Sequence, residues 1–244
     1  MVDAQPLSEL ARLLDLGAHE HVAIVGGGGK TTIMHTLGQQ LTGTRVLTCT
    51  TKMGHDQTGG LPTLLSPSDA DLVESAAAGP VVAWKAIDGQ KAIGVDPETC
   101  DRWFDLVDHV VIEADGSRRR PFKAPADYEP VVPSSTTMMV SVIGADALGR
   151  VIADQCHRPL RVAALADCTP YERLSPRAAA TVILHDRGAR KELPAGARFA
   201  VVISKVDAKS AGFVDDLHEA LLDAEPDLTV VATPFVDDPP QLTA

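Results

Sequence analysis

The sequence predicts an α/β fold in which helices cover both faces of a mostly parallel β-sheet. Apolar runs such as VAIV, VVIE and FAVVIS show little polar alternation, which is typical of strands buried on both faces. These runs alternate along the chain with stretches of helical periodicity. A glycine-rich loop between the first strand and the next helix indicates a βαβ unit with a right-handed crossover.

The elements follow from local patterns. Leucines at helical spacing before Gly17 predict a short first helix at Leu7, Leu10, Leu13 and Leu14. Later helices are predicted at residues 31–41, 68–78, 98–106, 161–166, 175–185 and 211–222. Apolar runs predict strands at residues 21–25, 45–49, 108–113, 137–143, 199–204 and 228–232.

Two segments interrupt this alternation. The Asp88-Gly89 turn signal lies between strand-like residues 81–85 and 91–95, which predicts a small antiparallel insertion at about residues 80–96. Residues 114–135 form a long loop rich in Arg and Pro, and such loops are often functional. We expect one domain over residues 1–244, with a disordered tail at about residues 237–244.

Composition narrows the function. The 244 residues carry a formal net charge of -11, which argues against non-specific binding to nucleic acid or an anionic membrane. No apolar stretch approaches the ~20 residues of a membrane helix, and the amino terminus lacks the pattern of a secretory signal. The four cysteines form no CxxC pair, so reduced thiols and a cytoplasmic location are expected.

The glycine loop is the strongest functional signal. Its glycines let backbone amides approach a phosphate, and the helix that follows adds its partial positive charge. Lys30 is expected to contact the β- and γ-phosphates of ATP or GTP, and the Thr31 hydroxyl to bind Mg²⁺. The predicted nucleotide-binding residues of the loop are Gly26, Gly27, Gly28, Gly29, Lys30, Thr31 and Thr32.

This loop is shorter than the usual G-x-x-x-x-G-K-[ST] pattern, because Ile24 stands where the first glycine would be. The remaining G-x-x-G-K-T-T makes the chain P-loop NTPase-like and resembles the phosphate loop of Mur ligases and folylpolyglutamate synthetases. It also resembles the deviant Walker loop, except that Val25 replaces the signature lysine. A self-associating ATPase that depends on that lysine is therefore disfavoured.

Two carboxylates follow the strand at residues 108–113, at the edge where parallel sheets bind ligands. One of Glu113 and Asp115 could hold Mg²⁺ through water while the other positions an attacking water. We predict Asp115 as the metal ligand alongside Thr31, and both acids as catalytic together with Lys30. A solvated strand end is the alternative.

Four cations then concentrate in a net-acidic chain: Arg118, Arg119, Arg120 and Lys123. Arginine forks suit phosphates and carboxylates, so these residues are predicted to bind a small-molecule anionic ligand. Arg119 is also a candidate for a catalytic contact with the γ-phosphate. The alternative is a solvated basic turn.

Ser204-Lys205-Val206-Asp207 resembles the guanine-reading NKxD motif of G proteins, with Ser in place of Asn. Lys205 and Asp207 are therefore predicted to contact the base, and a capped turn at the strand end is the alternative. Relatives of the phosphate loop use ATP, so ATP is slightly favoured over GTP. Cys156 and His157 could handle a metal or a sulfur or selenium species, but a loop cysteine and a hydrogen-bonded histidine are the favoured interpretation.

Longer motifs give a more specific resemblance. EADGSRRRPFKAPADYEPVVP, VGGGGKTT, TTKM, IGADALG, CHRP and SKVD together resemble the YqeC family of accessory proteins of selenium-dependent molybdenum hydroxylases, also named selenium cofactor biosynthesis proteins. Leu160 and Cys49 depart from the family pattern, in which an acidic residue and a threonine stand. The resemblance implies a cytoplasmic nucleotide-binding protein whose partners are a molybdenum hydroxylase or its cofactor-maturation proteins.

Three functions fit these motifs. The first is a nucleotide-hydrolysing or nucleotide-dependent maturation enzyme, because Lys30, Thr31, Glu113 and Asp115 should converge on one sheet edge. The second is a nucleotide-gated metal or cofactor carrier whose turnover only switches a partner interface. The third is a Mur-like ATP-dependent ligase, for which 244 residues leave little room for a substrate domain.

Overall fold

A computed structural model describes residues 2–234, and the predicted tail at about 237–244 lies outside them. Its centre is an eight-stranded sheet in which all strand pairs are parallel, in the order β13-β12-β10-β1-β8-β2-β5-β4. The predicted α/β class is therefore confirmed.

The main-sheet strands are β1 Glu20–Gly26, β2 Arg45–Cys49, β4 Thr63–Leu65, β5 Val81–Trp84, β8 His109–Glu113, β10 Met138–Gly144, β12 Arg198–Val206 and β13 Thr229–Pro234. The short strands outside it are β3 Lys52–Gly54, β6 Ala86–Asp88, β7 Lys91–Ile93, β9 Phe122–Lys123 and β11 Cys156–His157. The helices are α1 Leu10–Leu13, α2 Lys30–Gln40, α3 Asp69–Ala78, α4 Pro97–Phe104, α5 Ile152–Gln155, α6 Pro159–Leu165, α7 Pro176–Leu184 and α8 Ala211–Ala224. Single 3₁₀ turns lie at Leu7–Glu9 and Ala145–Ala147.

Helices cover both faces of the sheet, as predicted. On one face, α1 and α2 pack on alternate residues of the central strands, for example Val22 and Ile24 of β1. On the other face, α3 and α4 pack against β1, β2 and β8 through Ala23 and Val25. The same face is covered farther along by α7 and α8, which pack on β10 and β12. Both sides of each central strand are therefore apolar, which explains the solid Val and Ile runs.

Local signals place several helix starts. Ser68 caps α3 in a capping box: its hydroxyl accepts from the Asp71 amide, and the Asp71 carboxylate accepts from the Ser68 amide. Ser175 caps α7 by accepting from the Ala178 amide, and Pro176 occupies the first helical position, where no amide is needed.

The small antiparallel sheet is confirmed, but its boundaries differ from those predicted. It contains three strands in the order β3-β7-β6, with the turn at Asp88-Gly89 as expected. Residues 81–84, predicted as one arm of the hairpin, instead form β5 in the main sheet, where all four are buried. The solid apolar run of β5 favours a two-sided environment that a surface hairpin does not offer.

The parallel register aligns the carboxyl ends of the central strands. Ile24 pairs with Glu113, Gly26 with Val142, and Gly144 with Ser204. The glycine loop, the acidic strand end and the SKVD turn therefore meet at one edge of the sheet, which is where open parallel sheets bind ligands.

Candidate phosphate-binding site

The glycine loop leaves β1 at the middle of the sheet and leads directly into α2. The first helical hydrogen bond is donated by the Ile33 amide to the Gly29 carbonyl, at 3.0 Å. Within residues 2–234, the amides of residues 28–32 donate no hydrogen bond to another protein group. Five consecutive amides at a helix amino terminus form the arrangement that binds phosphate oxygens in proteins.

Close backbone packing gives the first three glycines a structural role as well. A Cβ on Gly26 would lie 2.3 Å from the Val142 carbonyl oxygen, and one on Gly28 would lie 2.3 Å from the Gly144 nitrogen. A Cβ on Gly27 would lie 2.4 Å from the Arg120 carbonyl oxygen. The loop is thus held between the end of β10 and the segment before β9, and any side chain at these positions would separate them.

Gly29 differs from the other three. A Cβ there would meet nothing closer than the Ser204 hydroxyl, at 3.6 Å, although the residue has φ +129. Backbone conformation, rather than crowding by protein atoms, therefore requires glycine at this position.

Lys30 lies buried inside the loop with 5% of its surface exposed. Its Nζ donates to the Gly26 carbonyl at 3.0 Å and lies 3.3 Å from Asp115 Oδ1 and 4.0 Å from Glu113 Oε2. The predicted phosphate lysine and the two predicted acids therefore converge. They form one buried charged cluster at the mouth of the loop.

The Thr31 hydroxyl donates to Glu113 Oε1 at 2.5 Å. Burial raises the pKa of Glu113, while the Lys30 charge and the Thr31 hydrogen bond oppose that rise. A threonine hydroxyl and a carboxylate in contact at a phosphate loop are suitable oxygen ligands for Mg²⁺, directly or through water.

Asp115, predicted as the metal ligand beside Thr31, occupies a different position. Its Oδ2 accepts from the Gly26 amide and from Lys123 Nζ, both at 3.1 Å, and its Oδ1 faces Lys30 without the alignment of a hydrogen bond. Glu113, not Asp115, is the acid in contact with Thr31. The turn after β8 directs Asp115 toward the lysines instead, so it holds the loop and Lys30 in position.

The predicted anion-binding cations separate into two groups. Arg118, Arg119 and Arg120 are exposed, with φ 50 and φ 61 at the first two, and the Arg120 guanidinium donates to the Asp154 carbonyl. Lys123 is buried, and its Nζ contacts the Gly116 carbonyl at 2.7 Å, Glu129 at 2.8 Å and Asp115 at 3.1 Å. Protein oxygens surround the Lys123 ammonium, as they surround that of Lys30, so Lys123 as an anion ligand stays a prediction.

Sequence reasoning missed the residues that continue this cluster. Glu129 accepts from Lys123 on one oxygen and from Arg158 on the other, at 2.8 and 2.9 Å. Burial alone would raise the pKa of Glu129, but the hydrogen bonds from Lys123 and Arg158 outweigh it and hold the pKa at about 2. The only signal in the sequence was that both residues belong to longer motifs, ADYEP and CHRP.

The SKVD turn contacts the phosphate loop through its serine. The Ser204 hydroxyl lies against the Gly28 carbonyl and also donates to the Ile143 carbonyl at 3.3 Å. Lys205 has φ 60 and pairs with Asp146 at 3.1 Å. Asp207 Oδ1 accepts from the Lys209 and Ser210 amides and from the Ser210 hydroxyl, at 3.0, 2.8 and 2.8 Å. This geometry fits the capped turn, and base contact by Lys205 and Asp207 stays a prediction.

Cys156 and His157 form β11, which pairs in parallel with β9. Burial raises the pKa of the Cys156 thiol to about 12, so the sulfur is protonated at neutral pH. Among residues 2–234, no group of three or more His, Cys, Asp or Glu side chains is placed to hold a metal ion. In the same part of the chain, no helix is both long and apolar enough to cross a membrane.

Comparisons with known proteins agree with the motif resemblance. The family described as YqeC protein matches residues 22–160, which contain the phosphate loop, both acids and the CHRP motif. The Uncharacterized protein YqeC of Escherichia coli (strain K12) is 34% identical over 200 residues, which cover 77% of this chain and 78% of that relative. No solved structure matches the chain. On the family match and this relative, the chain belongs to the YqeC family.

Proposed function

We propose that the protein binds ATP or GTP with Mg²⁺ at the glycine loop. One observation carries the proposal: within residues 2–234, the five consecutive amides of residues 28–32 donate to no protein acceptor. Lys30 and Thr31 belong to this same run. Such a run offers several hydrogen bonds to phosphate oxygens, and the helix dipole favours their negative charge. The glycine packing described above explains the loop's shape but not these unused donors.

Lys30 and Thr31 would divide the work of binding. Lys30 Nζ already lies at the mouth of the loop, where a phosphate oxygen would give it a charge-assisted hydrogen bond. Asp115 would stay neutralised by Lys123 when Lys30 turns to the phosphates. Thr31 and Glu113 would hold Mg²⁺, which neutralises charge on the phosphates when bound.

Hydrolysis in support of cofactor maturation is the function we favour. Glu113 is the candidate for orienting the attacking water, because it lies with Thr31 at the point where the Mg²⁺ beside the phosphates would be held. The exposed Arg119 is available to contact the γ-phosphate. The resemblance of the motifs to accessory proteins of selenium-dependent molybdenum hydroxylases is what suggests a cytoplasmic role in maturing the cofactor of such a hydroxylase, with the hydroxylase or its cofactor-maturation proteins as partners.

One observation favours a nucleotide-gated carrier as the second candidate. Both acids are engaged by protein groups, Glu113 by Thr31 and Asp115 by Lys123 and Gly26. A carrier needs the nucleotide only to switch an interface, so it needs no carboxylate free to activate water. Measured turnover separates the two candidates, because a carrier retains nucleotide with negligible hydrolysis.

Calorimetric titration with ATP and GTP in the presence of Mg²⁺ tests the binding proposal. Lys30→Ala should weaken affinity more than about tenfold, since a charge-assisted phosphate contact contributes about 1.5–3 kcal/mol. Lys91→Ala removes the same charge from the exposed strand β7 and should bind as the parent does. Equal affinity in Lys30→Ala, with unchanged circular dichroism, would rule out the phosphate loop.

If Lys30→Ala does not fold, a second variant, Thr31→Val, tests the same site. Thr31→Val keeps the size of the side chain and removes only the hydroxyl, so binding without Mg²⁺ should be unaffected while the gain on adding Mg²⁺ is lost. A parent protein that binds neither nucleotide under any of these conditions contradicts the proposal outright.

A further inference from the structure

A second group of nitrogen donors lies beside the phosphate loop, where the short strands β9 and β11 pair. Parallel register sets His157 beside Lys123, so the two side chains lie on the same face of the ladder. His157 is partly exposed, and within residues 2–234 neither of its ring nitrogens makes a hydrogen bond. The Lys123 ammonium contacts protein oxygens, whereas the neighbouring His157 imidazole can still donate a hydrogen bond to a ligand.

Arg158 is the second member of this group, and among the described residues only one nitrogen of its guanidinium makes hydrogen bonds. The residue has φ 60, and its Nη2 donates to Glu129 at 2.9 Å and to the Tyr128 hydroxyl at 3.2 Å. In the described part of the chain, Nη1 makes no hydrogen bond and Nε is buried without a partner. Glu129 therefore fixes the side chain from one side and leaves donors on the other.

Arg118 contributes a cation from the basic loop. Its side chain is exposed, and among the described residues it makes neither an ion pair nor a hydrogen bond. Arg118 lies two residues beyond Gly116, whose carbonyl accepts from Lys123 Nζ at 2.7 Å, and Lys123 is the residue beside His157 in the β9–β11 pair. Glu129 is the acid whose charge raises the pKa of His157, and both of its oxygens are already paired.

We propose that His157, Arg158 and Arg118 form an anion site, distinct from the phosphate loop, that takes the phosphate or carboxylate group of a second small-molecule ligand. The Asp115 carboxylate bridges Lys30 and Lys123, at 3.3 and 3.1 Å, so the two sites lie next to each other at one sheet edge. A ligand held here would have its anionic group beside the nucleotide's phosphates. The site itself does not need the nucleotide, but its role in placing the second ligand rests on the proposed function.

The charge state of His157 suits this role. Burial, followed by the positive charges of Arg158, Lys123 and Arg118, lowers the pKa of His157 to about 4. The imidazole is therefore neutral at pH 7 and can donate one N–H without adding a further charge to a cationic group. An anion bound among the three cations would offset their charges and raise this pKa.

Histidine NMR with inorganic phosphate as the probe tests the site. The His157 signals are assigned from their absence in His157→Gln, and the pKa is measured with and without phosphate. Phosphate should raise the pKa of His157 by about one unit or more, as expected when an opposite charge comes within ~4–6 Å. The same rise should occur in Lys30→Ala, because the site does not use that lysine.

Two further variants decide the outcome. Arg118→Gln should reduce the response to phosphate, whereas Arg177→Gln removes the same charge from the exposed start of α7 and should not. An unchanged pKa at tens of millimolar phosphate overturns the proposal, and an equal response in both arginine variants overturns it by showing an adventitious ion only. A rise that disappears in Lys30→Ala also overturns it, since the imidazole would then report the phosphate loop. Failure of the nucleotide proposal is seen separately, as absent ATP and GTP binding by calorimetry.

Discussion

The two edges of the parallel sheet differ in how they bury ionisable side chains. One edge holds a network of paired charges, and the other holds neutral histidines. At the carboxyl edge, four buried residues alternate in sign and each contacts the next: Lys30, Asp115, Lys123 and Glu129. At the amino edge, His21 is the second residue of β1 and His109 is the first of β8, and burial lowers the pKa of both. The carboxyl edge keeps these four charges by pairing them, whereas burial keeps the two histidines of the amino edge neutral.

The histidine edge has unpaired ring nitrogens. His21 Nδ1 lies 2.8 Å from the Ser135 hydroxyl, but its Nε2 and His109 Nδ1 are buried without a partner among residues 2–234. Phe104 packs on His21 at a ring distance of 5.2 Å. A buried carboxylate at this edge, Glu20, pairs with Arg198, whose side chain is 40% exposed.

The difference between the two edges bears on which of them is suited to bind a ligand. Burying charges costs desolvation energy that pairing roughly offsets, so an apolar core of similar volume would serve stability as well or better. A network kept charged at the edge where parallel sheets bind ligands is better explained by a ligand's charge than by stability. Neutral histidines at the opposite edge need no such explanation.

The largest expected effect comes from removing the central cation of the network. Lys123→Met keeps the length of the side chain but leaves Asp115 and Glu129 buried without their shared ammonium. Breaking a buried pair in this way typically costs about 3–5 kcal/mol, and urea unfolding measures it. Lys91→Met, on exposed β7, is the matched control and should change stability little. A loss below about 1 kcal/mol, the range of surface pairs, would show that water reaches the network.

Acid should separate the contributions of His21 and Glu129 by pH. The pKa of His21 is about 4 in the folded protein and 6.5 when unperturbed, so its contribution is complete above pH 6.5 and is lost as pH falls toward 4. The loss approaches about 3 kcal/mol, because one pKa unit corresponds to about 1.4 kcal/mol. The pKa of Glu129 is about 2 instead of 4.5, so its contribution is lost only below pH 4.5.

Unfolding free energies measured from pH 7 to pH 3 check this order. His21→Gln should flatten the upper part of the curve, and Glu129→Gln the lower part. A parent curve without a slope between pH 6.5 and 4.5 would mean that His21 is not buried as a neutral group.

The sequence predicts the parallel sheet and its two edges, because buried strands and helices each leave a simple pattern in the sequence. Solid apolar runs predict two-sided strands, and parallel strands place Gly26, Glu113 and Ser204 at one edge whatever their spacing along the chain. Only β5 was assigned to the wrong sheet, because a four-residue apolar run carries no information about its partner strand.

The charged network could not be predicted in the same way. Glu129 and Arg158 lie outside strands, and the nearby strands β9 and β11 have two residues each, which is too short for a periodicity. Asp115 lies beyond the end of β8, where a turn rather than strand alternation sets the direction of its side chain. Lys123 looked like part of an exposed basic run, and only the fold shows that it turns inward while Arg118 and Arg119 stay outside.

Catalysis should distinguish the two acids of the carboxyl edge. Glu113→Gln should lower turnover about 10²-fold or more if the carboxylate acts on water, with a much smaller change in nucleotide affinity. Asp115→Asn should weaken both, because Asp115 holds the Gly26 amide and faces Lys30. Steady-state hydrolysis and calorimetry on the same preparations measure the split. Parental turnover in both variants, or none in the parent, would contradict the enzyme and favour the carrier.

The smallest effect is expected at Asp207, at the outer end of the same edge. Its Oδ1 is occupied by the Lys209 and Ser210 amides, and a guanine base would have to compete with these bonds. Asp207→Asn should therefore cost about 1 kcal/mol or less of stability, as loss of a turn or helix cap does, and leave the preference between nucleotides unchanged. ATP and GTP competing against one fluorescent nucleotide measure that preference, and we expect a slight lean to ATP. If Asp207 does read guanine, adenine would leave its carboxylate unpaired, so GTP should win by more than about tenfold. A preference of that size that collapses in Asp207→Asn, with xanthine nucleotide gaining affinity, would establish base reading and extend the ligand site along the sheet edge to Asp207.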